Sequence, residues 1–292
     1  LWMTYTYPKK QCQFLSINLK ELPMDNRQEI NMIGGGFQHS PSTSGFEPLY
    51  MKWVKGQQTA PISIYVDNAI KTPTNQDTKN YAWLVESKTI NSSLYDWCLN
   101  NTQYLKDNFI SVFTHDAYLS STSSIFKLTQ CSGKSFIPIG DVYNKTKLVS
   151  MIASNKVMCA EHRIRQEMID KYSSKCDHFG RGFNPILNKS DGLMDYCFSF
   201  AMENATYANM FTEKITDCFM TGTIPIYYGI ENIGDFFNKD GIIMLDDNFK
   251  IEDLSVELYE SKIDAVNENF KLANDLLVAE DYIYKHFLED EI

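Results

Sequence analysis

The strongest chemical signal in the sequence is a pair of short polar patterns separated by a loop. Glu203 and Asn204 follow an apolar run, and Thr212, Glu213 and Lys214 open the next amphipathic segment. A lysine supplies a point charge for phosphate oxygens, a glutamate accepts hydrogen bonds from ribose hydroxyls, and an asparagine both donates and accepts them. These residue types at this spacing predict a nucleotide site.

A strand must precede this site and a helix must follow it. Residues 196–202 and 224–228 are apolar runs typical of buried strands, and Thr212 and Gly222 are a typical N-cap and a typical C-terminal stop for the helix between them. In doubly wound sheets, ligands bind beyond the carboxyl ends of the strands, where helix N-termini expose N–H groups. The pattern therefore predicts a nucleotide-binding site within residues 195–229.

Two series of strands and helices indicate two lobes. Predicted strands lie at 61–67, 82–86, 109–115, 147–154, 196–202, 224–228 and 242–245, and predicted helices at 93–104, 161–173, 212–221 and beyond 251. A chain of 292 residues exceeds the usual size of one compact domain. We expect an α/β fold with two Rossmann-like lobes facing a cleft, divided into residues 1–140, 141–270 and 271–292.

Composition excludes several classes of partner. The net charge of −10 argues against nucleic-acid binding, and no apolar run approaches the roughly 20 residues of a membrane span. Seven cysteines without a C-x-x-C pair favour a reduced compartment and no zinc site. A glycan on the Asn204 sequon would block the predicted site, so we expect a cytoplasmic location. No feature of the sequence indicates an oligomeric state.

Three linked motifs resemble the donor motif of the α-1,3/1,4-fucosyltransferase family. They are an apolar strand ending in E-N at 200–204, T-E-K at 212–214 and a P-I-Y-x-G strand end within 222–229. Upstream, residues 150–169 are similar to the family's strand, S-N and R-x-x-[FYM] helix, and residues 177–182 resemble its D-x-[FY]-G-R turn. The resemblance covers residues 145–250.

The resemblance implies a GT-B type glycosyltransferase that transfers fucose from GDP-fucose to a glycan acceptor, with inversion and without a metal or other cofactor. Arg165 and Lys214 would neutralise the diphosphate, and Glu213 would hold the ribose. The implied donor site also contains Glu203, Asn204 and Thr212. Met210 departs from the family, which usually has a tyrosine here. Another nucleotide sugar as donor, or a non-catalytic binding protein of the same fold, therefore stays an alternative.

Inverting transfer needs a carboxylate that takes the proton of the acceptor hydroxyl. By the resemblance, this base ends a strand of the N-terminal lobe, and Glu86 after the run 82–85 is the candidate. The simpler alternative for Glu86 is a strand cap or a pair with Lys88. Likewise, Arg165 on a solvated helix face is an alternative to a donor contact.

Other polar features carry weaker signals. The glycine run 34–36 lacks the spacing of a nucleotide-binding loop and is favoured as a turn. Asp67 begins like a D-x-D metal motif, but Ala69 occupies the third position. A lone histidine such as His115 is more often structural than catalytic, and Arg181 between two glycines is typical of a turn.

Overall fold

The computed structural model describes residues 26–35, 37–131, 133–155 and 160–291, and these residues form two parallel β-sheets flanked by helices. Cys12, Gly36 and Cys159, which entered the predictions above, lie outside the described residues, as does the start of the predicted first domain. The predicted α/β class is therefore confirmed. The residue bounds of the two lobes stay a prediction.

The first sheet lies within residues 28–128. Its six strands are β1 (Gln28–Ile33), β2 (Met51–Lys55), β3 (Ile62–Val66), β4 (Lys79–Leu84), β5 (Ser111–Thr114) and β6 (Phe126–Leu128). They pair in parallel in the order β2-β1-β3-β4-β5-β6. The helices of this part are α1 (Ser92–Asn100), α2 (Thr102–Asn108) and α3 (Ala117–Thr122).

The helical turns predicted for 93–104 are confirmed, and they form two helices because Asn101 separates α1 from α2. Asn101 has φ −120° and ψ 32°, outside the helical region. Its side-chain amide donates to the carbonyl of Trp97 at 2.8 Å, and the Thr102 hydroxyl donates to the carbonyl of Leu99 at 3.0 Å. Side chains of this type compete with helical hydrogen bonds and favour an interruption.

The second sheet begins at residue 147. Its strands are β7 (Lys147–Ile152), β8 (Asp177–Phe179), β9 (Tyr196–Met202), β10 (Ile224–Tyr228) and β11 (Ile243–Met244), in the parallel order β11-β10-β9-β7-β8. Its first two helices are α4 (Ala160–Tyr172) and α5 (Glu213–Phe219). All seven residues of β9 are buried, with Phe198 and Phe200 in the core of one face and Ala201 in that of the other. Burial on both faces explains the continuous apolar run.

The C-terminal segment returns to the first sheet. After α6 (Val256–Ser261) and α7 (Ile263–Asp275), helix α8 (Ala279–Ile283) places Ala279 and Ile283 in the core cluster of β1, β3 and β4. The buried Glu280 carboxylate accepts hydrogen bonds from the amide (2.7 Å) and hydroxyl (3.0 Å) of Thr43. Asp281 accepts from the amides of Leu49 and Tyr50. Two carboxylates thus fix the 43–50 loop.

Glu280 is expected to make stability depend on pH. Burial raises its pKa from 4.5 to about 7, because the hydrogen bonds from Thr43 offset only part of the cost of a buried charge. A raised folded pKa contributes stability below the unfolded pKa, and this stability is lost as pH rises through the folded pKa. Relative to Glu280→Gln, the wild-type free energy of unfolding should fall by about 3 kcal/mol between pH 4.5 and pH 8. Urea titrations at both pH values would measure this fall, and a difference independent of pH would contradict it.

Among the described residues, no helix combines the length and the apolar composition that crossing a membrane requires.

Candidate active site

A cavity of about 270 Å³ lies at the carboxyl ends of β7, β8 and β9. Its wall is formed by the residues after β7 and β8, the end of β9 and side chains of α5. The charged residues of the wall are four cations and two carboxylates: Arg165, Arg181, Lys189, Lys214, Glu213 and Asp217. Parallel sheets bind ligands at this edge, and the excess of positive charge suits phosphate oxygens.

Glu203 holds the segment 203–212, called the donor loop below, although it does not itself line the cavity. Its carboxylate, only 2% exposed, accepts hydrogen bonds from the amide (2.8 Å) and the hydroxyl (2.6 Å) of Thr212. Burial raises the pKa of Glu203, and the nearby Lys214 and Thr212 lower it by less. Thr212 is the N-cap residue of α5, as predicted, but its hydroxyl donates to Glu203 and makes no capping hydrogen bond to the helix.

Lys214 lies between two carboxylates. Its Nζ donates to the Thr212 hydroxyl at 2.9 Å and lies 3.5 Å from Glu203 and 3.9 Å from Glu213. Burial alone lowers the pKa of Lys214, but the two glutamates outweigh it and the pKa is raised. The side chain remains 25% exposed toward the cavity. Lys214 is therefore charged and available to an anion.

Glu213 shares a second cation with Asp217. Lys189 Nζ lies 3.0 Å from Glu213 and 2.8 Å from Asp217. Burial would raise the pKa of Glu213, but Lys214 and Lys189 together lower it to about 2. Asp217 also accepts hydrogen bonds from the Ser135 hydroxyl (2.6 Å), and its pKa is raised by burial. Glu213 is thus fully ionised and rigidly held.

Lys189 and Asp217 were missed by the sequence reasoning. A signal existed for Asp217, since it lies four residues after Glu213 and therefore on the same face of α5. Lys189 follows a loop with no motif, 24 residues before its partner. Only the fold brings this lysine to the cavity.

Arg165 lines the same cavity and contacts Asn204 beside it. Arg165 on α4 is buried, with 9% of its surface exposed, and its Nη1 lies 3.5 Å from the Asn204 side-chain oxygen. Asn204 is half-buried in the donor loop. Arg165 thus lies with Lys214 at one wall, and the alternative of a solvated helix face does not hold.

The turn after β8 brings Arg181 to the cavity. Gly180 has φ +128°, a conformation that non-glycine residues rarely adopt. A Cβ on Gly180 would lie 2.1 Å from the backbone oxygen of Ala153, which follows β7. Close packing of two strand ends therefore requires a glycine here.

Gly180→Ala is expected to lower the free energy of unfolding by about 3 kcal/mol, because it combines backbone strain with a clash against backbone. Gly35→Ala is the matched control, since no atom lies within 4 Å of its new methyl group. Urea denaturation would measure both variants. Equal midpoints for the two would show that the turn tolerates a side chain.

A second cavity of about 250 Å³ lies between the two lobes. Phe37, Asp67 and Glu86 line it from the first lobe, and Met210 and Glu213 from the second. Glu213 also lines the first cavity, so the two adjoin at this residue. The structure therefore brings the predicted base into a space next to the predicted donor residues.

Glu86 is exposed in this second cavity. Its own amide donates to Asp67 at 3.1 Å, and its carboxylate accepts from the amide of Ser87 at 2.9 Å. The Lys88 ammonium lies 3.9 Å from the Asp116 carboxylate, and within the described part of the chain no ion pair joins it to Glu86. One oxygen of this solvent-accessible carboxylate accepts the hydrogen bond from Ser87, and the other can accept a proton from a bound hydroxyl.

Comparison with known proteins agrees with this geometry. The family model for the C-terminal part of glycosyltransferase family 10 (fucosyltransferase) matches residues 142–282. An alpha-(1,3)-fucosyltransferase FucT of Helicobacter pylori is 34% identical over 76 residues, which are 26% of this chain. The match covers 16% of that relative's length.

Solved structures agree in fold. A crystal structure of alpha1,3-fucosyltransferase has a TM-score of 0.52 at 16% identity, over 92% of this chain and 90% of that chain. A crystal structure of alpha1,3-fucosyltransferase with GDP has a TM-score of 0.50 at the same identity and coverage. The predicted two-lobe GT-B architecture is thereby confirmed. Over residues 142–282, this chain is thus similar to the fucosyltransferase C-terminal domain of glycosyltransferase family 10.

Proposed function

We propose that the chain is an inverting, metal-independent glycosyltransferase that moves fucose from GDP-fucose to a hydroxyl of a glycan acceptor. The observation that carries the proposal is the pair of adjoining cavities, one rich in cations and the other containing the exposed Glu86. The family that residues 142–282 resemble supports sugar transfer. A solved structure of similar fold, described with GDP, indicates the nucleotide to test first.

The reaction follows from the charges. Glu86 takes the proton of the acceptor hydroxyl. At the same time, the oxygen of that hydroxyl forms a bond to the anomeric carbon, and the bond from that carbon to the phosphate oxygen breaks. Attack opposite the leaving group inverts the anomeric configuration. Arg165, Lys189 and Lys214 stabilise the charge that develops on the departing GDP, a role that divalent cations have in other transferases. Glu213, ionised at neutral pH, accepts hydrogen bonds from ribose hydroxyls.

Calorimetric titration with GDP, UDP and GDP-fucose tests the donor. We expect GDP to bind more tightly than UDP, and tighter binding of UDP would overturn the assignment of the donor. Release of GDP from GDP-fucose, without and with an array of glycan acceptors, tests catalysis. Tight binding of GDP without any release would favour a non-catalytic nucleotide-binding protein.

A different nucleotide sugar is the second candidate donor, and Met210 is the observation that favours it. Met210 replaces the tyrosine usual in the family and lines the second cavity, next to Glu86. The phosphate and ribose contacts are common to many donors, so they do not by themselves select fucose. A transfer assay that contains several nucleotide sugars in competition would rank them by the amount of each sugar transferred.

We also propose a cytoplasmic location. Five described cysteines are free, namely Cys98, Cys131, Cys176, Cys197 and Cys218. Asn204 is half-buried beside Arg165, where a glycan would fill the cationic cavity. Mass measurement of the protein from its natural source would contradict this location if Asn204 carried a glycan.

A further inference from the structure

The segment that carries Glu86 is held by its own lobe at two points. Asp67 accepts hydrogen bonds from the amides of Val85 (2.9 Å) and Glu86 (3.1 Å). Tyr95 donates its hydroxyl hydrogen to the carbonyl of Glu86 at 2.9 Å. Asp67 itself has φ +49°, a conformation that the surrounding structure must maintain in a non-glycine residue. The backbone at Glu86 is therefore fixed within the first lobe.

A further contact with this segment comes from the second lobe. The hydroxyl oxygen of Tyr207 accepts a hydrogen bond from the amide of Lys88 at 3.1 Å. The same oxygen lies 2.8 Å from Nε2 of His115, and the two rings stack with centroids 5.9 Å apart. Tyr207 lies within the donor loop 203–212. One hydroxyl thus joins the donor loop to a residue two positions after Glu86.

The chemistry of Tyr207 suits a fixed bridge. His115 is buried, and burial lowers its pKa to about 4, so its ring is neutral at physiological pH. A tyrosine hydroxyl has one hydrogen and two lone pairs, enough to serve Lys88 and His115 together. The ring of Tyr207 packs against the core cluster around Phe211, so the hydroxyl has a rigid support.

We propose that Tyr207 is a positioning residue that sets Glu86 relative to the donor loop. The proposal rests on the proposed function, in which Glu86 must reach the acceptor hydroxyl while the donor loop holds the nucleotide. A base acts only within hydrogen-bond reach of the proton it takes, and a displacement of about 1 Å can cost on the order of 10²-fold in rate. The Tyr207 hydroxyl joins these two parts of the site directly.

Tyr207→Phe tests the proposal, because it removes the hydroxyl and keeps the ring. We expect kcat to fall on the order of tenfold, with the donor KM and the Kd of GDP within about twofold of wild type. We also expect the Lys88 amide to exchange with deuterium faster in the variant, in the presence of saturating GDP. Mass spectrometry of peptides covering residues 86–90 measures this exchange.

Tyr259→Phe is the matched control, since the Tyr259 hydroxyl donates to the carbonyl of Gly222 within the second lobe. Equal kcat values and equal Lys88 exchange in the two variants would overturn the positioning role. A rise in donor KM with unchanged kcat would also overturn it, because Tyr207 would then be a donor-binding residue. Failure of the wild type to turn over any nucleotide sugar would overturn the proposed function, whereas the exchange measurement would still decide whether Tyr207 orders the 86–90 segment.

Discussion

Glu86→Gln is expected to reduce sugar transfer by on the order of 10²–10⁴-fold, since it removes the base and keeps the shape of the side chain. The affinity for GDP should stay within about twofold, because Glu86 lines the second cavity and not the cationic one. The amide of glutamine can accept the Ser87 hydrogen bond, so the local backbone is retained. Steady-state transfer rates and calorimetry with GDP would measure the two effects separately.

Glu29→Gln is the control for this experiment. Glu29 pairs with Lys52 on the surface, with both side chains 48% exposed, and lines neither cavity. Its replacement should leave transfer unchanged. Near-normal turnover of Glu86→Gln with intact binding of GDP would sink the assignment of Glu86 as the base.

Lys214→Met is expected to weaken GDP binding on the order of 10- to 100-fold, because a charge-assisted contact with phosphate is lost. It should also lower the free energy of unfolding by about 3 kcal/mol, because Glu203 keeps a buried charge without its ammonium partner. Calorimetry measures the first effect and urea denaturation at neutral pH the second.

The stability loss of Lys214→Met should shrink as pH falls. Burial already raises the pKa of Glu203, and removal of Lys214 raises it further. The variant therefore regains stability toward the unfolded pKa of 4.5, as Glu203 takes up a proton. In the wild type, Glu213 has a depressed pKa of about 2, so its stabilising contribution is lost as pH falls from 4.5 toward 2. Both changes make the free energies of unfolding of the wild type and the variant converge as pH falls.

Lys175→Met is the matched control, since Lys175 pairs with Glu252 at the surface with both side chains about half exposed or more. Exposed pairs contribute about 0–1 kcal/mol, so little change is expected. A Lys214→Met protein as stable as this control, with wild-type affinity for GDP, would show that Lys214 is an ordinary surface cation.

Strands with a nearly continuous apolar run could be predicted from the sequence, whereas β1, whose run a buried asparagine interrupts, could not. β9 and β10 are buried on both faces and appear as continuous apolar runs. β1 was missed because Asn31 interrupts it. This asparagine is fully buried, and its side chain exchanges hydrogen bonds with the backbone of Ala60 at 2.8 and 3.0 Å. A polar residue with satisfied hydrogen bonds inside a sheet has the sequence pattern of a loop.

The site divides in the same way. Thr212, Glu213 and Lys214 were visible because they open one helix, directly after the loop that Glu203 begins. Their network with Lys189 was not visible, since it depends on where the chain passes between β8 and β9. That Glu203 supports the donor loop and does not line the cavity could not be predicted either, because a glutamate can serve as a buried support or as a ligand contact.

The return of α8 to the first sheet affects the order in which the protein can be completed on the ribosome. The 43–50 loop is held in part by the carboxylates of Glu280 and Asp281, which are synthesised more than 200 residues later. Domains generally fold as they emerge, starting from the N-terminus. The second lobe can therefore form its sheet while the first still lacks part of its core, so the lobe that carries Glu86 is the last to be finished.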